Sequence, residues 1–104
     1  MLKSYRDLDA WKKAIETVEA VYTLAQTFPE SEKYGLASQI QRASVSVPSN
    51  IAEGYGRTHR GDYLRHLSIA RGSLYEVETQ LLIAVKLGFT TREKAAGVWH
   101  LVQE

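Results

Sequence analysis

The sequence predicts an all-α fold, an antiparallel up-down bundle of four helices that forms one domain over residues 1–104. In four segments apolar residues recur at steps of three or four, and no segment alternates apolar and polar residues as a strand does. The connections are short, which places successive helices antiparallel. A chain of 104 residues, with 44% hydrophobic and 24% charged residues, has the size and composition of one globular domain.

The first predicted helix covers about residues 7–27. Its predicted core row has steps of 3, 4, 3, 4 and 3 and consists of Leu8, Trp11, Ile15, Val18, Tyr22 and Ala25. A second apolar row lies beside it: Ala14, Val21, Leu24 and Phe28. Ser4 precedes Asp7 by three residues, which is the spacing of a capping box. Two apolar rows on one helix indicate a packing surface beyond the core of a monomer.

The second predicted helix begins after Ser31 and is terminated by Gly54 and Gly56. Its apolar row is Leu36, Ile40, Ala43, Val47 and Ile51. Pro48 falls inside this helix, where it cannot donate to the carbonyl of Ser44 and its ring crowds the preceding turn. Because an unrelieved break would cost about 3 kcal/mol, we expect a proline-bent second helix that curves around the bundle.

The third predicted helix covers about residues 60–87, and Gly88 follows it as a left-handed cap. Its apolar row is Leu67, Ala70, Leu74, Val77, Leu81 and Ala84. The fourth begins at "TTRE", where Thr90 and Glu93 have capping-box spacing, and its apolar residues are Ala95, Val98 and Val102.

The fourth helix is too short to cover the third. At 1.5 Å per residue it is about 20 Å long, whereas the third is about 40 Å long. The end of the third helix is apolar almost all round, and such a helix is normally buried on every side. We therefore expect either that the fourth helix continues beyond this chain or that another subunit supplies the missing surface, and we predict self-association.

Composition limits the function classes. The chain has no cysteine, which excludes disulfides and thiolate metal sites. The start, "MLKSYRDLDAW", lacks the apolar core of a signal peptide, and the longest apolar run, "LLIAV", is too short to span a bilayer. The sequence thus predicts a cytoplasmic protein without a membrane partner.

No motif indicates catalysis. G-x-S-x-G, H-E-x-x-H and glycine-rich phosphate loops are absent from the sequence. His59 and His66 lie seven residues apart, about 10 Å along a helix, which is too far for one metal ion. The sequence predicts no enzyme, no metal and no cofactor.

Charge is unevenly distributed along the chain. The net charge is +1, yet residues 57–71 carry +3 and the remainder −2. This window is either a solvated loop and helix face or a surface that binds nucleic acid. The candidates for binding are Arg57, Arg60, Arg65 and Arg71, with Lys12, Lys13 and Arg42 as additions.

A polar row borders the core row of the second helix. It consists of Gln39, Arg42, Ser46, Asn50, Glu53 and Arg57. The third helix has polar residues that could face it: Ser68, Arg71, Ser73, Tyr75, Glu76 and Glu78. One interpretation is a network between helices or subunits, with charge-assisted pairs among Arg42, Glu53, Arg71 and Glu78. The other is a groove that contacts a ligand or nucleic acid.

The strings "SVSVPSNIAEGYGR" and "YLRHLSIARGSLYEVETQLLIAVKLG" resemble the four-helix-bundle family related to the protein encoded in the intervening sequence of bacterial 23S ribosomal RNA genes. The resemblance continues upstream through "DAWKKA" and "VYTLAQTFPESEKYGLASQIQRA" and so covers nearly the whole chain. It implies an antiparallel bundle that assembles as a homopentamer, without enzymatic activity. A related branch, the accessory proteins of diversity-generating retroelements, binds nucleic acid and a reverse transcriptase.

The resemblance places two signatures in this chain. The first comprises Pro48, Ser49, Asn50, Ile51, Ala52, Glu53, Gly54 and Arg57. The second comprises Gly72, Ser73, Glu76, Glu78, Thr79, Gln80 and Leu81. The chain departs from the family in its shorter fourth helix, and its low net charge differs from that of the basic accessory branch, which makes a reverse-transcriptase partner less expected.

Together these observations predict a non-catalytic oligomeric module that binds RNA, DNA or a ribonucleoprotein partner through basic residues. The alternative is a protein-interaction scaffold without a nucleic-acid role, which would use the apolar residues Leu82, Ile83 and Val85.

Overall fold

A computed structural model describes residues 3–103, and within them it contains only helices, turns and loops. Its four α-helices are α1 (Asp9–Ala25), α2 (Leu36–Tyr55), α3 (Arg60–Lys86) and α4 (Arg92–Gln103). Single turns of 3-10 helix lie at Tyr5–Asp7 and at Glu30–Glu32. The predicted all-helical fold is confirmed.

The helices pack around the four sides of a bundle. α2 packs against α1 and α3, and α4 also packs against α1 and α3, so that α1 and α3 lie diagonally opposite each other. The molecule measures 44 × 22 × 19 Å. Among the described residues, no helix is both long enough and apolar enough to cross a membrane.

The core rows predicted for α2 and α3 are largely confirmed. All five predicted residues of α2 are buried, from Leu36 to Ile51, and so are Ala70, Val77, Leu81 and Ala84 of α3. Leu67 and Leu74 are half-buried. One core cluster includes residues from all four helices, whereas the other, around Ala14, Val47, Ile51 and Ala70, draws only on α1, α2 and α3.

The core row predicted for α1 is largely wrong, since only Ala25 of its six residues is buried. The buried residues are those of the second row, Ala14, Val21, Leu24 and Phe28, together with Thr17 and Ala25. In the predicted row, Trp11, Ile15 and Val18 are half-buried and Tyr22 is 41% exposed. Because α1 packs between α2 and α4, the row that points between these two neighbours is the buried one.

Two helix ends differ from their predictions. The Lys94 N–H donates to Thr91 Oγ1 at 3.2 Å, so Thr91 rather than Thr90 caps α4. Ser4 and Asp7 do form a capping box, but it caps the 3-10 turn that precedes α1. Gly88 has φ +78°, which confirms the predicted left-handed cap after α3.

Pro48 lies inside α2, which is helical on both sides of it. Gly54 does not terminate this helix, because α2 continues to Tyr55 and Gly56 is its C-cap. Gly54 instead lies where α2 approaches α3. A Cβ on Gly54 would be 3.0 Å from the Cβ of His66 and 3.4 Å from the Tyr63 carbonyl oxygen.

Candidate nucleic-acid interface

A chain of polar side chains joins α2 to α3. The Ser73 hydroxyl donates to Ser46 Oγ at 2.8 Å across the two helices. The Asn50 amide nitrogen donates to the same Ser46 Oγ at 3.0 Å and to the Ser46 carbonyl oxygen at 2.8 Å. Ser73 is buried and Ser46 is half-buried, so these hydrogen bonds satisfy polar groups that water reaches poorly.

The same chain continues to His66. Its Nδ1 lies 3.1 Å from Asn50 Oδ1. Because the Asn50 nitrogen already donates to Ser46, its oxygen accepts here, and Nδ1 of His66 is the donor. Glu53 Oε2 lies 3.9 Å from the same ring nitrogen and 3.7 Å from the Arg57 guanidinium. The network therefore leads from the middle of α3 to the turn that joins α2 and α3.

The structure shows that part of the predicted polar row links two helices of one chain. Within the described part of this one chain, however, Arg42, Glu53, Arg71 and Glu78 do not pair with one another. Glu53 pairs with Arg57 of its own helix, Arg71 Nε donates to the Tyr75 hydroxyl at 3.1 Å, and Glu78 accepts from Gln103 of α4 at 2.8 Å. Arg42 lies in another part of α2, beside the loop of Lys33 and Tyr34.

Three of the predicted basic residues lie at one end of the bundle. Arg57 is in the turn between α2 and α3, Arg60 is the first residue of α3, and Arg65 follows in its second turn; all three are exposed. At about 100° per residue, Arg60 and Arg65 project from α3 about 140° apart, so they flank this end rather than share one face.

Arg71 and Arg42 lie elsewhere. Arg71 is 11 residues from Arg60, which places it on the same side of α3 but about 16 Å along the axis. Its guanidinium stacks on Tyr75, 5.6 Å from the ring centre. Arg42 precedes Arg57 by 15 residues, about 22 Å along α2. The structure thus does not gather the four arginines of residues 57–71 into one patch.

The start of α1 belongs to the same end as Arg57. Trp11 lines a shallow groove with Pro48 and Ala52 of the second half of α2, and the turn Tyr5–Asp7 also contacts α2. Lys12 and Lys13, both exposed, are therefore near this end. We call residues 3–13 and 53–66 the basic end. It holds seven basic and four acidic residues, net +3, while the other residues have a net charge of −2.

Sequence reasoning missed two tyrosines at the basic end. Tyr55 is the last residue of α2 and Tyr63 lies in the first turn of α3, and both are exposed. The Tyr63 ring is 3.7 Å from the position of a Cβ on Gly54, the residue before Tyr55. The signal that could have identified them is the placement of aromatic residues directly beside the glycines and arginines of "EGYGR" and "RGDY".

Two apolar grooves lie outside the core. The Trp11 groove, between α1 and α2, has a volume of about 320 Å³ and is lined by Tyr5, Trp11, Ile15, Val18, Val45, Pro48, Ser49 and Ala52. The Trp99 groove, between α3 and α4, has a volume of about 670 Å³ and is lined by Leu81, Leu82, Val85, Lys86, Arg92, Ala95, Ala96, Trp99 and His100. Residues 3–103 include no cluster of three acidic or histidine side chains that could hold a metal ion.

The family model described as the 23S rRNA-intervening sequence protein matches residues 6–104 of this chain. The chain belongs to that family. The resemblance drawn from the "PSNIAEG" and "GSLYEVETQL" segments is thereby confirmed.

A crystal structure from the S23 ribosomal protein family of Bacteroides thetaiotaomicron, a protein described as of unknown function, has the same fold. It superposes with a TM-score of 0.83 at 23% sequence identity, covering 90% of this chain and 88% of the other. No curated protein matches the chain.

Proposed function

We propose that this family member is a non-catalytic, self-associating module of the cytoplasm that binds RNA, or a ribonucleoprotein partner, through its basic end. The observation that supports the proposal is the separation of charge, because an excess of three positive charges lies at one end of a chain whose net charge is only +1. Exposed arginine and lysine side chains contact phosphates without regard to sequence, and such contacts supply most non-specific affinity.

The chain of polar side chains from Ser73 to Arg57, which is hydrogen-bonded as far as His66 and continues through charged groups 3.7–3.9 Å apart, would support this role by holding the turn between α2 and α3 in place. The turn is also tied by backbone hydrogen bonds, from Arg57 N–H to the Gly54 carbonyl at 3.1 Å and from Tyr63 N–H to the His59 carbonyl at 3.1 Å. A fixed turn presents the arginines without a large loss of backbone entropy on binding. The Ser73 hydroxyl donates to Ser46 rather than to His66, which is not the arrangement of a serine nucleophile activated by a histidine.

The arrangement of the helices is part of the proposal. We propose that they run alternately up and down. Where α2 and α3 are in contact, residue numbers decrease along α2 as they increase along α3: Gly54 lies beside His66, and Ser46 lies beside Ser73. We also propose that α2 bends at Pro48, whose ring leaves the carbonyl of Ser44 without a backbone donor.

Self-association would use the Trp11 groove. The row from Leu8 to Tyr22 has the three-and-four spacing of a helix-packing surface, yet no helix of this chain covers it completely. Val45 of α2 extends the same apolar surface. We propose a homopentamer, as the family resemblance implies, in which copies of the basic end repeat around one axis and their fields add.

The proposed function is tested with the triple variant R57A/R60A/R65A. We expect its affinity for a structured RNA at 50 mM salt to fall about 10-fold or more, and the dependence of log K on log salt to become shallower, because three phosphate contacts are removed. Fluorescence anisotropy with a labelled RNA hairpin measures both quantities.

The matched control is K33A/R42A/K94A, which removes the same charge from exposed residues outside the basic end. It should retain most of the affinity. Equal losses in the two triple variants would show that overall charge, and not the basic end, drives binding. Retention of full affinity in R57A/R60A/R65A would contradict the proposal.

A second candidate function is a protein-interaction scaffold without a nucleic-acid role. The observation in its favour is the apolar surface beside the Trp99 groove, where Leu82, Ile83 and Leu87 of the α3 end are exposed. Exposed apolar patches of this kind often bind proteins. Two results would favour this function. One is an RNA affinity that does not change with salt concentration in the experiment above. The other is a protein partner that binds the natural chain but not the Leu82→Glu variant.

A further inference from the structure

We infer that the basic end binds single-stranded nucleic acid, with Tyr55 and Tyr63 as the surfaces on which bases stack. This inference rests on the proposed function and adds to it the class of nucleic acid. Nothing in the charge distribution alone distinguishes a single strand from a duplex, because both present phosphates.

The two tyrosines have the position and exposure that stacking requires. Tyr55 is 38% exposed and Tyr63 is 40% exposed, although each is a large apolar ring. Arg57 follows Tyr55 by two residues, and Arg60 precedes Tyr63 by three, which makes Arg60 and Tyr63 neighbours on the surface of α3. Tyr63 therefore has a neighbouring cation that can hold the adjoining phosphate, and Arg57 lies two residues beyond Tyr55 in the chain.

The turn keeps both rings in a defined place. Gly54, the residue before Tyr55, packs so closely against α3 that a Cβ there would lie 3.4 Å from the Tyr63 carbonyl oxygen and 3.7 Å from its ring. The close approach of the two helices thus brings Tyr55 and Tyr63 to the same end of the bundle. Neither ring has an aromatic or cation-π partner within the described residues, and more than a third of each side chain is exposed, so each offers part of its ring to a base.

The local charge is low for a site that follows a duplex backbone. Residues 53–66 contain three arginines and two acidic residues, Glu53 and Asp62, so their net charge is +1 when both histidines are neutral. Arg57 is also paired with Glu53. Phosphate contacts alone would therefore give weak affinity at this turn. Stacking on aromatic rings adds affinity that does not depend on charge. A single strand can stack on the rings because its bases are not held in a base-paired duplex.

The experiment compares three labelled oligomers of 12 units at several salt concentrations. They are single-stranded oligouridine, an RNA duplex of mixed sequence, and an abasic sugar-phosphate strand that retains the charge but has no bases. For the natural chain we expect oligouridine to bind about 10-fold more tightly than either of the others, since stacking of even one or two bases is worth a factor of this size.

The decisive variant is Y55L/Y63L, which keeps apolar side chains but removes the rings. Its affinity for oligouridine should fall about 10-fold to the level of the abasic strand, with an unchanged salt slope, whereas R57A/R60A/R65A should make that slope shallower. The matched control, Y34L/Y75L, removes two other exposed tyrosines and should bind as the natural chain does.

A second measurement needs no variant. In the natural chain, oligouridine should shift the ring proton resonances of Tyr55 and Tyr63 upfield, and the abasic strand should not. Equal affinity for oligouridine and the abasic strand, with no ring shifts, would overturn the inference while salt-dependent binding kept the proposed function. Absence of binding to all three oligomers would overturn both.

Discussion

At the scale of single residues, Gly54 decides how closely α2 and α3 pack. A Cβ added to Gly54 would lie 3.0 Å from the Cβ of His66 and 3.4 Å from the Tyr63 carbonyl oxygen. Because neither of these atoms moves when a side chain rotates, no change of rotamer can relieve the contact. The glycine is thus explained by the crossing of two helices, and its membership in the first signature has a physical reason within one chain.

We predict that Gly54→Ala lowers the free energy of unfolding by about 1–3 kcal/mol, because α3 must shift away from α2 to admit the methyl group. The matched control is Gly72→Ala, also inside a helix, where a Cβ would meet nothing within 4 Å. Gly72→Ala should raise the free energy of unfolding by about 0.5–1 kcal/mol. Urea unfolding at one protein concentration measures both.

Equal effects of the two substitutions would contradict this account of Gly54. A loss of stability in Gly72→Ala would have another meaning, namely that Gly72 is needed for a contact outside its own chain, since the chain itself leaves space there.

His66 illustrates a site residue that could not be predicted. The polar row of α2 follows from periodicity, and it predicted a network beside the core. Of the two α3 residues that hydrogen-bond to this row, Ser73 was among those expected to face it and His66 was not, because the partners depend on the register between α2 and α3. The spacing of residues within one helix carries no information on the register between two helices.

At the scale of helices, Ser46 and Ser73 provide a partly buried hydrogen bond between α2 and α3, alongside that of His66 with Asn50. Ser46 Oγ accepts both the Ser73 hydroxyl and the Asn50 amide, so it connects the whole polar chain. Removal of one partner leaves the other polar group buried without a hydrogen bond, which costs more than removal of both.

We predict that Ser46→Ala lowers the free energy of unfolding by about 1–2 kcal/mol, and that the double variant S46A/S73A costs no more than Ser46→Ala alone. Urea unfolding of the four members of the cycle gives the coupling energy. Ser68→Ala, at an exposed residue of α3, serves as the control and should change stability by less than about 0.5 kcal/mol. Additive losses in the cycle would show that the two hydroxyls do not act as a pair.

Helix α1 shows what the periodicity of apolar residues can and cannot predict. The spacing of apolar residues predicted the helix and both of its rows, and the structure contains both. The choice between them was wrong, because the row with the larger side chains, including Trp11 and Tyr22, was assigned to the core. Which row is buried depends on the position of α4 beside α1, and no pattern within α1 records it.

At the scale of the whole molecule, the basic end arises only when the chain is folded. The window of residues 57–71 already showed an excess of positive charge. Folding removes Arg71 from it, about 16 Å along α3, and adds the start of α1 with Lys12 and Lys13. The location of this end could be predicted from the sequence in part, since three of its arginines are close along the chain.

The partly exposed row of α1, from Leu8 to Tyr22, is an apolar surface that one copy of the chain does not cover completely. Val45, 40% exposed, lies in the Trp11 groove, and Leu87, 62% exposed, lies on the other apolar surface at the end of α3. A glutamate at either position stays in water in the monomer and should leave its fold intact. Buried in a contact between copies, the same carboxylate would lack a partner and oppose association.

We therefore predict that Val45→Glu weakens self-association at least 100-fold and reduces the particle to a single chain at micromolar concentration, whereas Leu87→Glu leaves the assembly of the natural chain intact. Sedimentation velocity measures the mass of all three proteins, and urea unfolding verifies that each variant is folded. Dissociation by Leu87→Glu but not by Val45→Glu would move the contact to the end of α3. A single-chain mass for the natural protein would contradict self-association itself, and the partly exposed row of α1 would then have to contact a different protein.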